Sequence, residues 1–247
     1  MMVRVTAQRL HRHHWYDVIF LAALTGAFFA MLWFMIHSTS FMLFGTIITH
    51  VDTDEKVVAL TFDDGPQPGA TEEVLGALRR GDVKATFFVI GREAEKHLPQ
   101  LKKIIADGHE VGNHSYTHPY MTFLSLDRID NEIGRTDALI RRAGYTGPIP
   151  FRVPNNVKFV TLPYYLMQHK RADISRDVRP LEGPKVSPKS IAHEVVSRVH
   201  PGSIILLHTM YGHLGSSRRA LPLIISGLHA KGYQFVTVSE LLTYQKI

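Results

Sequence analysis

The run TFDDGP places two adjacent carboxylates, Asp63 and Asp64, directly after KVVAL, which is typical of a buried strand. Neighbouring carboxylates repel each other, and each resists leaving water unless a positive charge compensates it. We therefore expect a cation beside Asp63 and Asp64. Two other interpretations stay open for this run taken alone: a simple turn, since Asp-Gly and Gly-Pro are common turn dipeptides, and a calcium-type loop.

A second candidate for metal binding is the histidine pair His114 and His118 in NHSYTHP. Two histidines four residues apart lie on one face if the segment turns helically, and they can then bind one ion. With one carboxylate they form a set that leaves a coordination position open, which suits catalytic zinc or non-haem iron. The chain has 15 histidines, so the pair alone is weak evidence, and the nearby aspartates strengthen it. One aspartate would bind the ion, and the other would act on a bound water.

These residues need a scaffold, and the chain alternates short β-branched runs with longer amphipathic runs from residue 55 onward. Seven such β-α units predict a parallel sheet covered by helices, in one domain. Polar residues stand at the ends of the predicted strands: Asp63, Asp64, His114, Arg152, Asp177 and His208. In a parallel barrel the carboxyl ends of the strands gather on one face, so these side chains should meet there.

The first 54 residues differ from the rest. Val18–Ile36 is a run of 19 residues without a charge, long enough to cross a bilayer as a helix. Arginines precede the run and acidic residues follow it, which favours a cytoplasmic N-terminus. We predict a cytoplasmic segment (1–17), a transmembrane anchor (18–36), a juxtamembrane linker (37–54) and a domain (55–247) outside the bacterial cytoplasmic membrane, periplasmic where a second membrane exists. A cleaved signal peptide and a buried core helix are the alternatives.

Composition excludes several classes. The chain has 247 residues, 45% apolar and 20% charged, which suits a globular core, and it has no cysteine to form a disulfide or a thiolate ligand. The net charge of +6 suits an anionic surface such as lipid headgroups or cell-wall polymer. No nucleic-acid-binding motif accompanies the charge, so we expect no nucleic-acid partner.

Taken together, TFDDGP, HSYTH, FRVPNN and IILLHT resemble, in this order, the motifs of the polysaccharide deacetylase family, also called carbohydrate esterase family four. The resemblance covers about residues 55–243. It implies a distorted (β/α)7 barrel, here preceded by the N-terminal helix. It also implies removal of N-acetyl groups from an N-acetylated glycan with one divalent metal ion, usually Zn2+.

The resemblance also implies a role for individual residues. Asp64, His114 and His118 match the metal ligands, and Asp63 matches the general base that takes a proton from the attacking water. Arg152 matches the arginine that pairs with this base. A carboxylate beside a metal and an arginine should stay ionised at neutral pH, as a general base must.

Three further residues complete the implied machinery. His208 matches the general acid that protonates the leaving amine, and Asp177 matches the aspartate that hydrogen-bonds this histidine. A carboxylate next to an imidazole stabilises its protonated form, which supports this pairing. The backbone N–H of Asn155 falls where the family's oxyanion donor lies, and an oxyanion needs such a fixed donor.

The chain also departs from the family pattern. Val153 stands in place of a usual proline and Asn156 in place of a usual glycine. Arg176 precedes Asp177, where the family commonly has a tryptophan nearby, and Asp173 is an alternative match for the aspartate. An arginine there could meet an anionic sugar. Two alternatives to the deacetylase remain: a glycan-binding or assembly protein with a decayed site, and a hydrolase of another non-peptide C–N bond.

Overall fold

The computed structural model describes the backbone of residues 3–246 and the side chains of residues 15–246. A long helix, α1 (Val3–His37), opens the chain. Its part Trp15–His37 is long and apolar enough to cross a membrane, and none of its most apolar stretch is buried against the protein. This exposure rules out the core-helix alternative. Side chains of the first 14 residues of the predicted cytoplasmic segment 1–17 lie outside the described residues.

A parallel sheet forms the centre of the domain. Strand β2 (Val57–Gly65) is buried along its whole length and pairs with β3 (Thr86–Val89), which pairs with β4 (Glu110–Asn113). On its other side β2 pairs with β6 (Ile204–His208). The first three residues of β2, which precede its pairing with β3, pair with β7 (Gln234–Val236). The register places Asp63 of β2 directly beside His208 of β6.

Short pairings close the sheet into a distorted barrel, as expected. Isolated bridges join Asn113 to Phe151 and Phe151 to Asp173, and Val178 bridges to Ile205 of β6. The run PFRVP predicts the fourth strand, which the structure reduces to a single bridging residue, Phe151. Strand β5 (Asp173–Ile174) pairs in parallel with a two-residue strand, β1 (Ile47–Ile48).

Strand β1 lies inside the segment 37–54, which we predicted to be a linker. The backbone N–H groups of Asp173 and Ser175 donate to the carbonyls of Thr46 and Ile48. Val51 is fully buried and its N–H donates to Gly202. The linker prediction is therefore wrong for residues 46–51, because these backbone groups complete the barrel wall. The domain begins before residue 55.

Helices cover the barrel. They are α2 (Ala70–Arg80), α3 (Gly91–Lys96), α4 (Leu98–Ala106), α5 (Leu126–Arg142), α6 (Thr161–Gln168), α7 (Pro188–Arg198), α8 (Gly215–Ala230) and α9 (Val238–Leu241). The sequence pattern predicts one helix over Glu93–Asp107, and the structure divides it at His97. Pro99 explains the break, because proline lacks an N–H and its ring clashes with the carbonyl four residues earlier.

Alternation along β2 decides which side chains reach the barrel interior. Val58, Leu60 and Phe62 pack in the cluster under the helices, whereas Val57 and Ala59 belong to a different cluster inside the barrel. Successive side chains of a strand point to opposite faces. Thr61 and Asp63 therefore continue the inward-facing set, which directs the Asp63 carboxylate into the barrel mouth.

Candidate active site

A local irregularity at the end of β2 allows both aspartates to face the same site. Regular alternation would turn Asp64 away from Asp63. The register between β2 and β3 instead shifts between Asp63 and Gly65, and Asp64 has a left-handed φ of 71°. A bulge of this kind re-aims a side chain. Both carboxylates consequently lie buried at the carboxyl end of the strand, 3% and 7% exposed.

Asp64, His114 and His118 form a compact triangle of ligand atoms. Asp64 Oδ1 lies 3.6 Å from Nε2 of His114 and 3.4 Å from Nε2 of His118. The segment between the two histidines does not form a helical turn. A loop with positive φ at Ser115 (61°) and His118 (58°) brings them together, and the His118 N–H donates to Ser115 Oγ.

The orientation of His114 and the pKa of His118 both suit metal binding. His114 Nδ1 lies 2.9 Å from the carbonyl oxygen of Arg152, which can only accept, so Nδ1 is the donor in this contact and Nε2 is the nitrogen directed at the site. Burial, and then the neighbouring His114, hold the pKa of His118 below 6.5. A neutral imidazole is the form that binds a metal.

The triangle fits a divalent metal ion. Ligands of a tetrahedral zinc at its usual bond lengths lie about 3.3–3.4 Å apart; the two Asp64–histidine separations are close to this, and all three ligand atoms lie within 4.8 Å of one another. Asp64 Oδ1 is buried and has no hydrogen-bond partner among the described residues. An acceptor buried in this way costs about 1–3 kcal/mol unless something compensates it. These three side chains can together hold a metal.

Arg152 holds Asp63 in place. Its guanidinium donates to Asp63 Oδ1 at 2.7 Å and to Thr61 Oγ1 at 2.8 Å. Its other donors bind the carbonyl oxygens of Ile174 (2.8 Å) and Ser175 (2.9 Å), so the fork cannot rotate. Burial is the largest influence and would raise the pKa of Asp63, but the charge and hydrogen bond of Arg152, together with the charges of His114 and His208, outweigh it and hold the pKa below 3.8. The predicted contact between Arg152 and Asp63 is therefore present.

His208 stands on the other side of the pocket, at the end of β6. Its Nε2 lies 3.9 Å from Asp64 Oδ2. Its Nδ1 lies 2.8 Å from Glu182 Oε2, and its backbone N–H donates to both carboxylate oxygens of Glu182 at 3.0 and 3.1 Å. Burial lowers the pKa of His208. The hydrogen bond with Glu182 and the charges of Asp63, Glu182 and Asp64 together raise it by more, so the net pKa lies above 6.5.

The predicted partner of His208, Asp177, was therefore wrong. Asp177 accepts hydrogen bonds from Ser203 Oγ and the Ile204 N–H, both at 2.7 Å, and pairs with His200 at 2.9 Å. These contacts fix it at the start of β6, four residues and about 13 Å of strand before His208. The alternative, Asp173, instead accepts from the Val153 N–H at 3.0 Å.

Glu182 gave no periodic signal in the sequence because it lies in the loop between β5 and α7. One observation could have pointed to it. Glu182 and Gly183 lie between Pro180 and Pro184 in a predicted βα loop, and such loops lie on the active face of a barrel. Its side chain is 7% exposed, which is low for a loop carboxylate.

The remaining predicted residue, Asn155, lies on a tight turn at the pocket wall. Asn155 and Asn156 both have left-handed φ values, 56° and 54°. Such values are uncommon outside glycine, and asparagine is among the residues that adopt them most readily. The turn carries both asparagines into the lining of the pocket.

The pocket itself has a volume of about 230 Å³. Its lining includes Asp63, Asp64, His114, His118, Arg152, Asn155, Arg176, Arg179 and His208. Arg176 donates a long hydrogen bond of 3.4 Å to Ser175 Oγ. Burial, and then the charge of Arg152, lower the pKa of Arg176. Within the described side chains, no carboxylate forms an ion pair with Arg176, so its charge faces the pocket without a direct counter-ion.

Comparison with known proteins gives consistent matches. The polysaccharide deacetylase family model matches residues 50–166. A peptidoglycan-N-acetylglucosamine deacetylase of Bacillus cereus is 35% identical over 205 residues, 81% of this chain and 95% of that protein.

Two solved structures extend the comparison. A family 4 acetyl xylan esterase from Clostridium thermocellum, solved with a cobalt ion, superposes with a TM-score of 0.69 at 34% identity, covering 76% of this chain and 91% of that one. A CE4 family pseudoenzyme from Bacillus anthracis superposes with a TM-score of 0.74 at 29% identity, covering 83% and 72%. The same fold thus occurs in proteins described as enzymes and in one described as a pseudoenzyme.

Proposed function

Because the chain belongs to the polysaccharide deacetylase family, and its Bacillus cereus relative is named a deacetylase, a hydrolase of a non-peptide C–N bond, we propose that it removes N-acetyl groups from an N-acetylated glycan at the outer face of a membrane crossed by α1. One observation carries this proposal. The triangle of Asp64, His114 and His118 opens onto the same pocket as Asp63, paired with Arg152, and as His208. A metal site, a base and an acid are the groups that amide hydrolysis needs.

Asp64, His114 and His118 would hold the divalent metal, and their mixed imidazole and carboxylate donors suit Zn2+. When bound there, the metal supplies Lewis acidity, which polarises the acetamide carbonyl and makes a water easier to deprotonate. Asp63, kept ionised by Arg152, accepts a proton from the water as its oxygen forms a bond to the carbonyl carbon.

The opposite wall completes the reaction. His208 Nε2 donates its proton to the amine nitrogen as the C–N bond breaks, so that the nitrogen leaves as a neutral amine. Glu182 orients the imidazole and stabilises its charged form. The backbone N–H of Asn155 stabilises negative charge on the carbonyl oxygen. Products are acetate and a free amino sugar.

The Bacillus anthracis pseudoenzyme keeps the decayed-site alternative relevant, because it shares the fold. Against decay, this chain keeps the metal triangle, the Arg152–Asp63 pair and the Glu182–His208 pair, each with short contacts. The buried Asp64 Oδ1 also has no hydrogen-bond donor among the described residues, which suits an oxygen that binds a metal. A hydrolase of another C–N bond would use the same groups, and only substrate range separates it from the deacetylase.

The experiment measures metal content and acetate release on the full-length protein in detergent, beside Asp64→Asn and Asp63→Asn. We expect about one zinc per wild-type chain, with release of acetate from N-acetylated glycan oligomers. Asp64→Asn should lose the metal, whereas Asp63→Asn should keep most of it and lose the activity. A folded wild-type protein that binds no metal after zinc is added would overturn the proposal. Bound metal without acetate release, but with hydrolysis of another amide, would favour a hydrolase of another non-peptide C–N bond.

A further inference from the structure

The end of α1 is fixed to the domain beside the pocket. The last carbonyls of a helix have no partner within it. Here the carbonyl of Ile36 accepts from the Lys158 N–H at 3.1 Å, and the carbonyl of His37 accepts from Asn156 Nδ2 at 3.1 Å. The Ser38 carbonyl accepts from Lys158 Nζ at 3.0 Å. The domain therefore holds the helix end directly, through a residue, Asn156, that also lines the pocket.

The helix has little spare length to lift the domain away from a bilayer. Trp15–His37 has 23 residues, about 35 Å at the rise of an α-helix, against a hydrocarbon thickness of about 30 Å. If this segment spans the membrane, Ile36 and His37 lie at its boundary. Asn156 and Lys158, which bind their carbonyls, must then lie at the boundary too.

The surface around this attachment point is unusually apolar. Outside α1, nine of the 12 exposed large apolar side chains in the described part of the chain lie in three short segments. We call these segments the docking face: residues 41–44, 120–126 and 160–167. Monomeric proteins seldom expose contiguous apolar surface of this kind unless it has a partner.

Contacts show that the docking face is continuous with α1. Phe41 stacks on Phe34 of the helix with ring centroids 6.2 Å apart, and Phe44 meets Tyr164 of α6 edge-on at 6.2 Å. The second branch runs from Lys158, which binds the helix end, to its neighbour Phe159, whose ring lies 6.1 Å from that of Phe123. Phe123 is 79% exposed.

From this continuity we propose that the docking face rests in the interfacial layer of the membrane that α1 crosses, which holds the mouth of the pocket at the bilayer surface. Aromatic side chains concentrate at this depth in membrane proteins, and an apolar face beside a spanning helix gains from burial there. This inference rests on the proposed membrane span. It limits the acceptor to glycan lying close to the bilayer, because Asn156 ties the pocket wall to the helix end.

The test uses fluorescence quenching by brominated lipids on the full chain in vesicles. Trp33 and Trp15 are the two native tryptophans. In a Trp15→Phe, Trp33→Phe background, a single tryptophan replaces either Phe44 or Phe123 of the docking face. Leu223→Trp in the same background is the control, because Leu223 of α8 (41% exposed) is about as exposed as Phe44 (36%) but lies outside the face.

A Trp15→Phe variant, with Trp33 as its one tryptophan, reports on the span itself. We expect bromines near the headgroups to quench F44W and F123W strongly and L223W little, and bromines on the upper acyl chain to quench Trp33, which would lie about one helical turn inside the boundary. If Trp33 is quenched but F44W and F123W behave like L223W, the docking face does not rest in the membrane interface, although α1 still crosses the membrane. If Trp33 is not quenched, the span and the face both fail, and the acetate assay judges the chemistry separately.

Discussion

Replacing Glu182 with glutamine tests the acid half of the proposed mechanism. The Glu182 carboxylate accepts from both the backbone N–H and Nδ1 of His208, at 2.8–3.1 Å, and it is 7% exposed. Glutamine has nearly the same shape but no charge. A hydrogen bond to a charged partner contributes about 1.5–3 kcal/mol, and each 1.36 kcal/mol in the barrier changes the rate tenfold. Glu182→Gln should therefore lower kcat by roughly 10- to 150-fold.

The kinetic constants separate this role from a purely structural one. Glu182 does not belong to the described lining of the pocket, so substrate binding should change little and KM should stay within about threefold. Metal content should equal that of the wild type, because Glu182 contacts none of the three ligand side chains directly. Acetate release at saturating substrate, with zinc analysis of the same samples, gives both numbers.

Asp177→Asn is the matched control, since it also removes one carboxylate charge from the same region. Asp177 contacts Ser203, Ile204 and His200 rather than His208. We expect kcat within about twofold of wild type and a loss of about 1–2 kcal/mol in the free energy of unfolding. The reasoning is refuted if Asp177→Asn lowers kcat more than Glu182→Gln does, because His208 would then depend on the wrong carboxylate.

Three further substitutions test separate parts of the structure. Burial, followed by the charge of Lys84, lowers the pKa of His109 to about 4. Between pH 6.5 and pH 4, His109 is therefore protonated in the unfolded chain but neutral in the folded protein. Stability should fall between pH 6.5 and pH 4 by up to about 3 kcal/mol more in wild type than in His109→Gln, measured by urea unfolding, and equal losses would contradict this. Arg152→Lys keeps the charge beside Asp63 but not the planar fork, so we expect about 2 kcal/mol lower stability and at least about tenfold lower kcat; an active, stable lysine variant would remove the need for the fork. Arg176→Ala should reduce kcat/KM for an anionic N-acetyl sugar about tenfold more than for its neutral counterpart, and equal reductions would show that Arg176 does not recognise charge.

Much of the site was predictable because a single topological rule assembles it. Asp63, His114, Arg152 and His208 each stand at the end of a predicted strand, and parallel strands of a barrel end on one face. The structure places Asp63 beside His208 through the register of β2 and β6, which no local pattern encodes but which the rule anticipates. Strand ends therefore carried most of the functional information in the sequence.

The missed features depend on loop geometry and on contacts distant in sequence. The bulge that turns Asp64 toward the histidines involves a left-handed φ of 71°. Because Asp64 is not a glycine, nothing in the sequence predicts this backbone conformation. Glu182 reaches His208 from an irregular loop, so no periodicity marks it. Strand β1 has two residues and pairs with β5 more than 120 positions later, which made its segment look like a linker.

Two of the departures from the family pattern, Val153 and Asn156, have a common physical explanation. Where proline is usual, Val153 keeps an N–H that donates to Asp173 Oδ1, and proline could not do this. Asp173 also pairs at 3.5 Å with the buried ammonium of Lys158, which binds the Ser38 carbonyl after the helix end.

Where glycine is usual, Asn156 supplies a side-chain donor to the His37 carbonyl, and glycine has none. Val153 and Asn156 flank Asn155, the candidate oxyanion donor, so both exchanges strengthen the same connection from the oxyanion turn to the end of α1. In a decayed site, substitutions would be expected to loosen such a turn. Here Val153 and Asn156 add contacts that attach the turn to the end of α1, directly and through Asp173 and Lys158, which agrees with the proposal of a catalytic turn held at a membrane surface.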